Sequence, residues 1–338
     1  MKTSQSTTTS AIAILAITAL LLAGCANVKR PGPGQFDPIA TSGAQNNQDG
    51  SSTSSDQDGS STSSDSGNRE SNPIGEDFVL EITANPHSDY PGMQFFTKYV
   101  DVFGLGIYAE AGFSDGQVLH AAAILAELLD NDENGVIDDE AVLAELVDQR
   151  AIIPMFTYQG SSSMEHFEDH YYDGKLPFYV GAKLYEREVD PTQPGHWGSD
   201  ASIEEIMHTI NQIGQAVIYP DAFSLEPGTS LLTEAMDEAR GGRFLSVPDR
   251  YPPESWYHYE DQSCTYRCMA IEYIYWAQVS NMEILNDRDT CLGIANEWEP
   301  CSQELLKEMD PLIYALITNP EYKLPQNAPN GIYKPTVE

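Results

Sequence analysis

The chain has 338 residues and a formal net charge of −35, from 52 acidic against 17 basic residues. A surface of that sign repels nucleic acid and anionic lipid head groups. The sequence also lacks a P-loop, a dinucleotide fingerprint and a basic recognition helix, so nucleotide and nucleic-acid functions lose their support. The acidity suits calcium, cationic partners or a saline habitat.

The chain opens with one cation, Lys2, then a Ser/Thr stretch and an apolar run over residues 11–23 that ends Leu22-Ala23-Gly24-Cys25. A cationic start, a short apolar core and small residues before the scissile bond describe a secretory signal peptide. The run is too short for an ordinary membrane span. Leu-Ala-Gly-Cys resembles the lipobox of bacterial lipoproteins. The resemblance implies removal of residues 1–24 and a diacylglyceryl group on Cys25. With Ala26 following, it also implies an outer-membrane lipoprotein on the periplasmic or surface side, held through its lipid anchor. Residues 25–73 read as a disordered tether, because the Ser/Asp/Gly-rich stretch, with DGSSTSSD twice, cannot bury apolar surface. Residues 74–338 read as a single globular domain.

Within that domain residues 78–83 alternate as a short strand, and residues 98–110 form a longer extended stretch interrupted by glycine. Residues 117–129 carry a strong amphipathic helical period and residues 140–147 begin another helix. Further helices are expected over 201–216, 230–240, 265–285 and 302–318, the last kinked or split at Pro311. Many helices and few strands, without regular alternation, predict a helix-dominated α+β fold.

Between the first two helices runs Asp130-Asn131-Asp132-Glu133-Asn134-Gly135-Val136-Ile137-Asp138-Asp139-Glu140. Oxygen-bearing side chains at the first, third, fifth and ninth positions can wrap a hard cation, and glycine at the sixth permits the sharp turn. The stretch resembles the calcium loop of EF-hand proteins. The resemblance implies calcium held by Asp130, Asp132, Asn134, the Val136 carbonyl and Asp138. The twelfth position, where the family places a bidentate Glu, is Ala141; completion then falls to Glu140, Glu145 or water. The competing reading is an acidic surface turn.

The second constellation is Glu204-Glu205-Ile206-Met207-His208. At about 100° per residue Ile203, Ile206, Met207, Ile210, Ile213 and Val217 form an apolar stripe, with Glu204, His208, Asn211 and Gln215 opposite it. Glu204 and His208, one turn apart, can reach one ion. Downstream, Met-Ala-Ile-Glu-Tyr-Ile-Tyr-Trp-Ala-Gln-Val over residues 269–279 is apolar nearly all round, and Glu272 is its only charge. A buried carboxylate is costly unless paired, hydrogen-bonded or metal-bound. The arrangement resembles zinc metallopeptidases of the gluzincin, lethal-factor-like type, and implies a zincin-like fold. In it Glu205 is the general base, and His208 and Glu272 are zinc ligands. Glu204 stands where the family's first histidine belongs, making the site harder and less zinc-selective. Three plainer readings compete. Ser202-x-x-Glu205 fits a capping box. Glu204 and His208 also fit an exposed ion pair, and Glu272 a partnership with a Tyr hydroxyl or Arg267.

Cys264, Cys268, Cys291 and Cys301 form an even set in an exported chain and read as two disulfides. If their segment is helical, Cys264 and Cys268 share one face. Bridges from them to Cys291 and Cys301 are then expected, a four-cysteine zinc site being the alternative. Glu165-His166-Phe167-Glu168-Asp169-His170 offers two imidazoles among acids and reads as an exposed loop. Two functions follow: a membrane-tethered, metallopeptidase-like lipoprotein with zinc and calcium sites, acting on a protein or peptide, or a non-catalytic surface binding protein stabilised by calcium and disulfides.

Overall fold

A computed structural model describes residues 78–336. The expectations of a signal peptide over 1–24, lipidation at Cys25 and a tether over 25–73 fall outside the described residues. Among the described residues no helix is long and apolar enough to cross a membrane.

The chain enters along an irregular segment whose one sheet contact is a bridge between Thr83 and Tyr99, so the strand expected over 78–83 shrinks to that bridge. A 3-10 turn, Met93–Phe95, leads into β1 (Phe96–Val102) and β2 (Leu105–Glu110), an antiparallel hairpin. Its two-residue turn sets Phe103 at φ 56° and Gly104 at φ 89°, the positive values a primed hairpin turn needs. Helix α1 (Asp115–Leu129) follows, opened by a capping box between Ser114 and Gln117. Then come α2 (Glu140–Asp148) and β3 (Ala151–Phe156), which pairs parallel with β2.

Sequence gave no sign of β3, because Pro154 argues against a central strand. The structure resolves the conflict by splitting the partner. After α3 (Ser162–Tyr172), β4 (Tyr179–Val180) pairs with Ala151 and Ile152, and β5 (Leu184–Tyr185) pairs with Met155 and Phe156. Pro154 falls in the gap, where no hydrogen is wanted from its nitrogen. Residues 181–183 leave the sheet there and run against the next helix. Gly181 permits the approach: a Cβ on it would sit 2.5 Å from Thr209 Cα.

That helix is α4 (Ser202–Ile210), which continues through a π-helical turn, Asn211–Gln215, into α5 (Ala216–Ile218). The single helix expected over 201–216 is therefore interrupted, and such π turns recur at functional sites. The remaining helices are α6 (Pro220–Phe223), α7 (Leu231–Ala239), α8 (Tyr266–Asn281), α9 (Arg288–Ile294), α10 (Gln303–Met309) and α11 (Pro311–Ile317). As Pro311 predicts, the last expected helix is split in two, with Asp310 capping α11. The result is a helix-dominated α+β architecture with a small mixed sheet.

The sheet separates two apolar clusters. On one side α1, α4, α7, α8 and α11 pack into a large core; on the other α3 closes an aromatic cluster of Phe96, Tyr108, Phe156, Phe167 and Phe178. Burying one such side chain contributes about 1.5–3 kcal/mol, so α3 is fixed firmly although most of its residues are polar. The segment 165–170 is thus helix, correcting the exposed-loop expectation. Its signal was present in Ser161 as N-cap and in Met164, Phe167 and Tyr171 at helical spacing.

The cysteines pair as Cys264–Cys268 and Cys291–Cys301, which corrects the cross-bridged expectation and removes the four-cysteine zinc site. The reason is local: α8 begins only at Tyr266, with Thr265 as its cap. Cys264 lies before the cap, free to fold back, and its Cα comes within 5.4 Å of Cys268 Cα.

Candidate metal centre

The centre forms where α4 crosses α8 in the large core. Helix α8 is buried at every position except Arg267, and α4 at every position except Glu204, which is half-buried. The polar face of α4 is therefore covered except at Glu204, against the competing reading of an exposed Glu204–His208 pair. His208 is 1 % exposed, Glu272 2 % and Glu205 5 %. Ligand atoms from Glu204, His208 and Glu272 all lie within 4.8 Å of one another. Among the described residues no other trio of His, Cys, Asp or Glu is so arranged.

Two of the plainer readings, the capping box and the Arg267 partnership, are not formed. Ala201, not Ser202, is the N-cap of α4 and makes no side-chain cap. The Ser202 hydroxyl donates instead to Asp200, at 2.7 Å, so the capping box is not formed. Arg267 pairs with Glu226 on the surface, so it leaves Glu272 unanswered.

The imidazole of His208 stands between two carboxylates. Nε2 is 3.4 Å from Glu272 Oε2, and Nδ1 is 3.7 Å from Glu205 Oε2. Both nitrogens, and Glu272 Oε1, are buried without a hydrogen-bond partner. A charge-assisted bond would close to about 2.7–2.9 Å. Two ligands on one tetrahedral zinc, each at about 2.0–2.1 Å, stand roughly 3.3 Å apart. The Nε2–Oε2 separation matches that edge, and the trio fits a divalent cation.

The electrostatics point the same way. Burial raises the Glu204 carboxyl well above its ordinary range, and the charge of Glu272 raises it further. Burial likewise raises Glu205, against the opposing pull of His208. Burial alone would depress the His208 imidazole, but Glu272 and Glu205 outweigh it and hold its pKa well above the usual value. Two more carboxylates border the group. Glu188, beside Glu205, is pushed up to about 8, first by burial and then by Glu205. Glu297, which accepts from Trp276 Nε1 at 2.8 Å, is pushed up to about 8 by burial and then by Glu272. Lys183, whose charge acts on Glu205, is already bound to Glu168 at 2.6 Å. So much negative charge in a dry interior demands protons or a metal ion.

Two features were not legible beforehand. Tyr275, one turn beyond Glu272, sets its ring edge-on to His208 at 5.6 Å, and Asn211 Nδ2 donates to Gln278 Oε1 at 2.8 Å, tying the π turn to α8. Glu272-x-x-Tyr275 and Asn211 with Gln278 were visible as polar groups in apolar helices, but nothing in sequence paired them. A third pattern, Gly112-Phe113-Ser114-Asp115-Gly116, spells G-x-S-x-G between β2 and α1. Ser114 there is the helix cap at an ordinary φ of −68°, with its hydroxyl engaged by Gln117. It is structural.

The loop after α1 is arranged differently. Asp130 is wholly buried and accepts from Asn134 N at 3.1 Å, Gly135 N at 3.0 Å and the Tyr333 hydroxyl at 2.5 Å. Asp132 accepts from Asn134, and Asp138 from Asn131 N at 2.8 Å. The Asn134 amide oxygen accepts from Val136 N. Asp139 caps α2 and binds the Tyr219 hydroxyl, while Glu140 is exposed in the first turn of α2. Burial raises Asp130 and Asp138 above their usual range, and the crowding of Asp132 adds to both.

No known protein family, no curated protein and no solved structure matches this chain.

Proposed function

We propose that this protein is an exported, zinc-binding lipoprotein whose α4–α8 centre has a metallopeptidase-like ligand arrangement. The observation that carries the reading is the convergence of ligand atoms from Glu204, His208 and Glu272, where both His208 nitrogens and Glu272 Oε1 are buried without a hydrogen-bond partner. Three protein ligands leave one coordination position open, as in catalytic zinc sites. A divalent ion held there supplies Lewis-acid activation for hydrolysis. Nε2 of His208 faces Glu272, so it is the ligating nitrogen, and Nδ1 is left to Glu205. Glu205 therefore supports the reading of a positioning residue, which fixes the imidazole and raises its basicity, in preference to the base on the substrate side. Elemental analysis of the exported chain, purified without a metal-affinity tag, tests the centre. Near-stoichiometric zinc that disappears in His208→Ala is expected; a metal-free wild type overturns it.

Anchoring rests on the lipobox alone. Cys25→Ala is expected to move the protein from the membrane to the soluble fraction, and unchanged fractionation would reject the anchor. The 130–141 loop supports a calcium site of its own, since Asp130, Asp132 and Asp138 repel one another where a cation would relieve them.

A further inference from the structure

Helix α3 carries a pair of histidines that the buried centre does not use. His166 and His170 are four residues apart, one turn, and their ring centroids are 4.5 Å apart. Both are partly exposed, whereas Met164 and Phe167 of the same helix are buried in the aromatic cluster and anchor it there. His170 Nδ1 lies 2.8 Å from the His166 carbonyl oxygen. A carbonyl only accepts, so Nδ1 carries the proton and Nε2 keeps its lone pair. That bond also fixes the ring, the orienting contact metal-binding imidazoles receive from an outer partner. His166 is steadied from the other side by Phe95, whose ring meets it edge-on at 5.5 Å and 84°. Gly92 allows the 3-10 turn bearing Phe95 to lie this close. It sits at φ 94°, and a Cβ on it would press to 3.1 Å from Phe167 Cα.

The geometry points to a second, surface metal site in which His166 and His170 chelate one divalent transition cation. Two imidazoles at i and i+4 on one helical face are a recognised zinc-holding pair. Nitrogen donors select copper, nickel and zinc over calcium and magnesium, and Cu(II) binds more tightly than Zn(II) in the general order of stability. Water or the exposed carboxylate of Asp169 completes the shell. The strongly acidic surface raises the local concentration of any cation.

The test is titration of the full chain with Cu(II) alone, followed by electron paramagnetic resonance. One equivalent with coupling to two nitrogens is expected beyond any bound at the α4–α8 centre, which offers a single nitrogen. His170→Ala and His166→Gln should each lose the two-nitrogen signal and weaken Cu(II) binding by at least about tenfold. Their circular dichroism and melting in chelator should stay at wild type, because both side chains are partly exposed. A single-nitrogen spectrum, or wild-type Cu(II) affinity in both variants, overturns the site. The zinc content of the buried centre is read separately, so either proposal can fail alone.

Discussion

The loop after α1 and the α4–α8 centre are both crowded with carboxylates, yet the chain treats them in opposite ways. In the loop, backbone amides and two tyrosine hydroxyls answer the acids, and the C-terminal tail closes over them. Asn330 N and Gly331 N donate to Glu127, Tyr333 to Asp130 and Lys334 N to Glu133. At the α4–α8 centre both nitrogens of His208 and Glu272 Oε1 have no hydrogen-bond partner. Counting acids does not distinguish the two; counting unanswered buried atoms does. The loop acids are answered by hydrogen bonds within the chain; under the proposed function, the centre would be answered by a bound cation.

Selective metal removal breaks or sharpens that contrast most directly. Binding that saturates a site about a thousandfold over its dissociation constant stabilises by about 4 kcal/mol. A zinc-selective chelator is therefore expected to lower the melting temperature by roughly 10 °C. An unmoved melting curve would place the centre on the same footing as the loop.

Glu205 comes next. If it positions His208, Glu205→Gln should weaken zinc about 10–100-fold while leaving the metal-free protein folded. If it is the general base, zinc affinity should be retained and any hydrolysis lost, which equilibrium zinc titration separates.

Proton linkage gives a third, smaller effect. Glu188 and Glu297 have folded pKa values of about 8, above the ordinary carboxyl value of 4.5. Between those values the folded metal-free protein binds more protons than the unfolded chain. Its stability therefore falls as pH rises through that window, by at most about 1.4 kcal/mol per pH unit per group. Denaturant midpoints measured from pH 5 to 8 in chelator should show this slope, and Glu297→Gln should flatten it. A slope of the opposite sign would mean these carboxyls are not held protonated.

Calcium should give the smallest response. Millimolar calcium is expected to raise the melting temperature by roughly 3–5 °C, consistent with a few kcal/mol or less of linkage at a weak, already satisfied site. Asp132→Ala should remove the rise. A calcium effect as large as the zinc effect would reverse the comparison between the two regions.

Sequence periodicity carried the helical part of the fold well. The expected helices over 117–129, 140–147, 230–240 and 265–285 correspond to α1, α2, α7 and α8, because each has a capping residue and an apolar pattern that local physics suffices to read. The lone charge of Glu272 in an apolar helix likewise announced that something must meet it. The misses share another cause. Pro154 hid β3 until its partner strand was seen to divide around it, and the polar composition of 162–172 hid a helix held by Met164 and Phe167. The cysteine pairing turned on one residue, Thr265, which starts α8 after Cys264 instead of before it.

By itself, then, the sequence determined what a segment of the chain can decide alone: the strongly acidic balance, most helices, and the residue types able to hold a cation. Only the tertiary structure decided that α4 is buried at every position but Glu204 and that Glu272, 64 positions beyond His208 in the chain, comes to 3.4 Å from its Nε2. It also decided that Glu205 falls on the Nδ1 side of the imidazole, and that the loop acids are met by a tail some 200 residues away. These are long-range facts. They depend on how the helices pack against one another, and no local pattern of residues encodes which buried atoms that packing leaves without a partner.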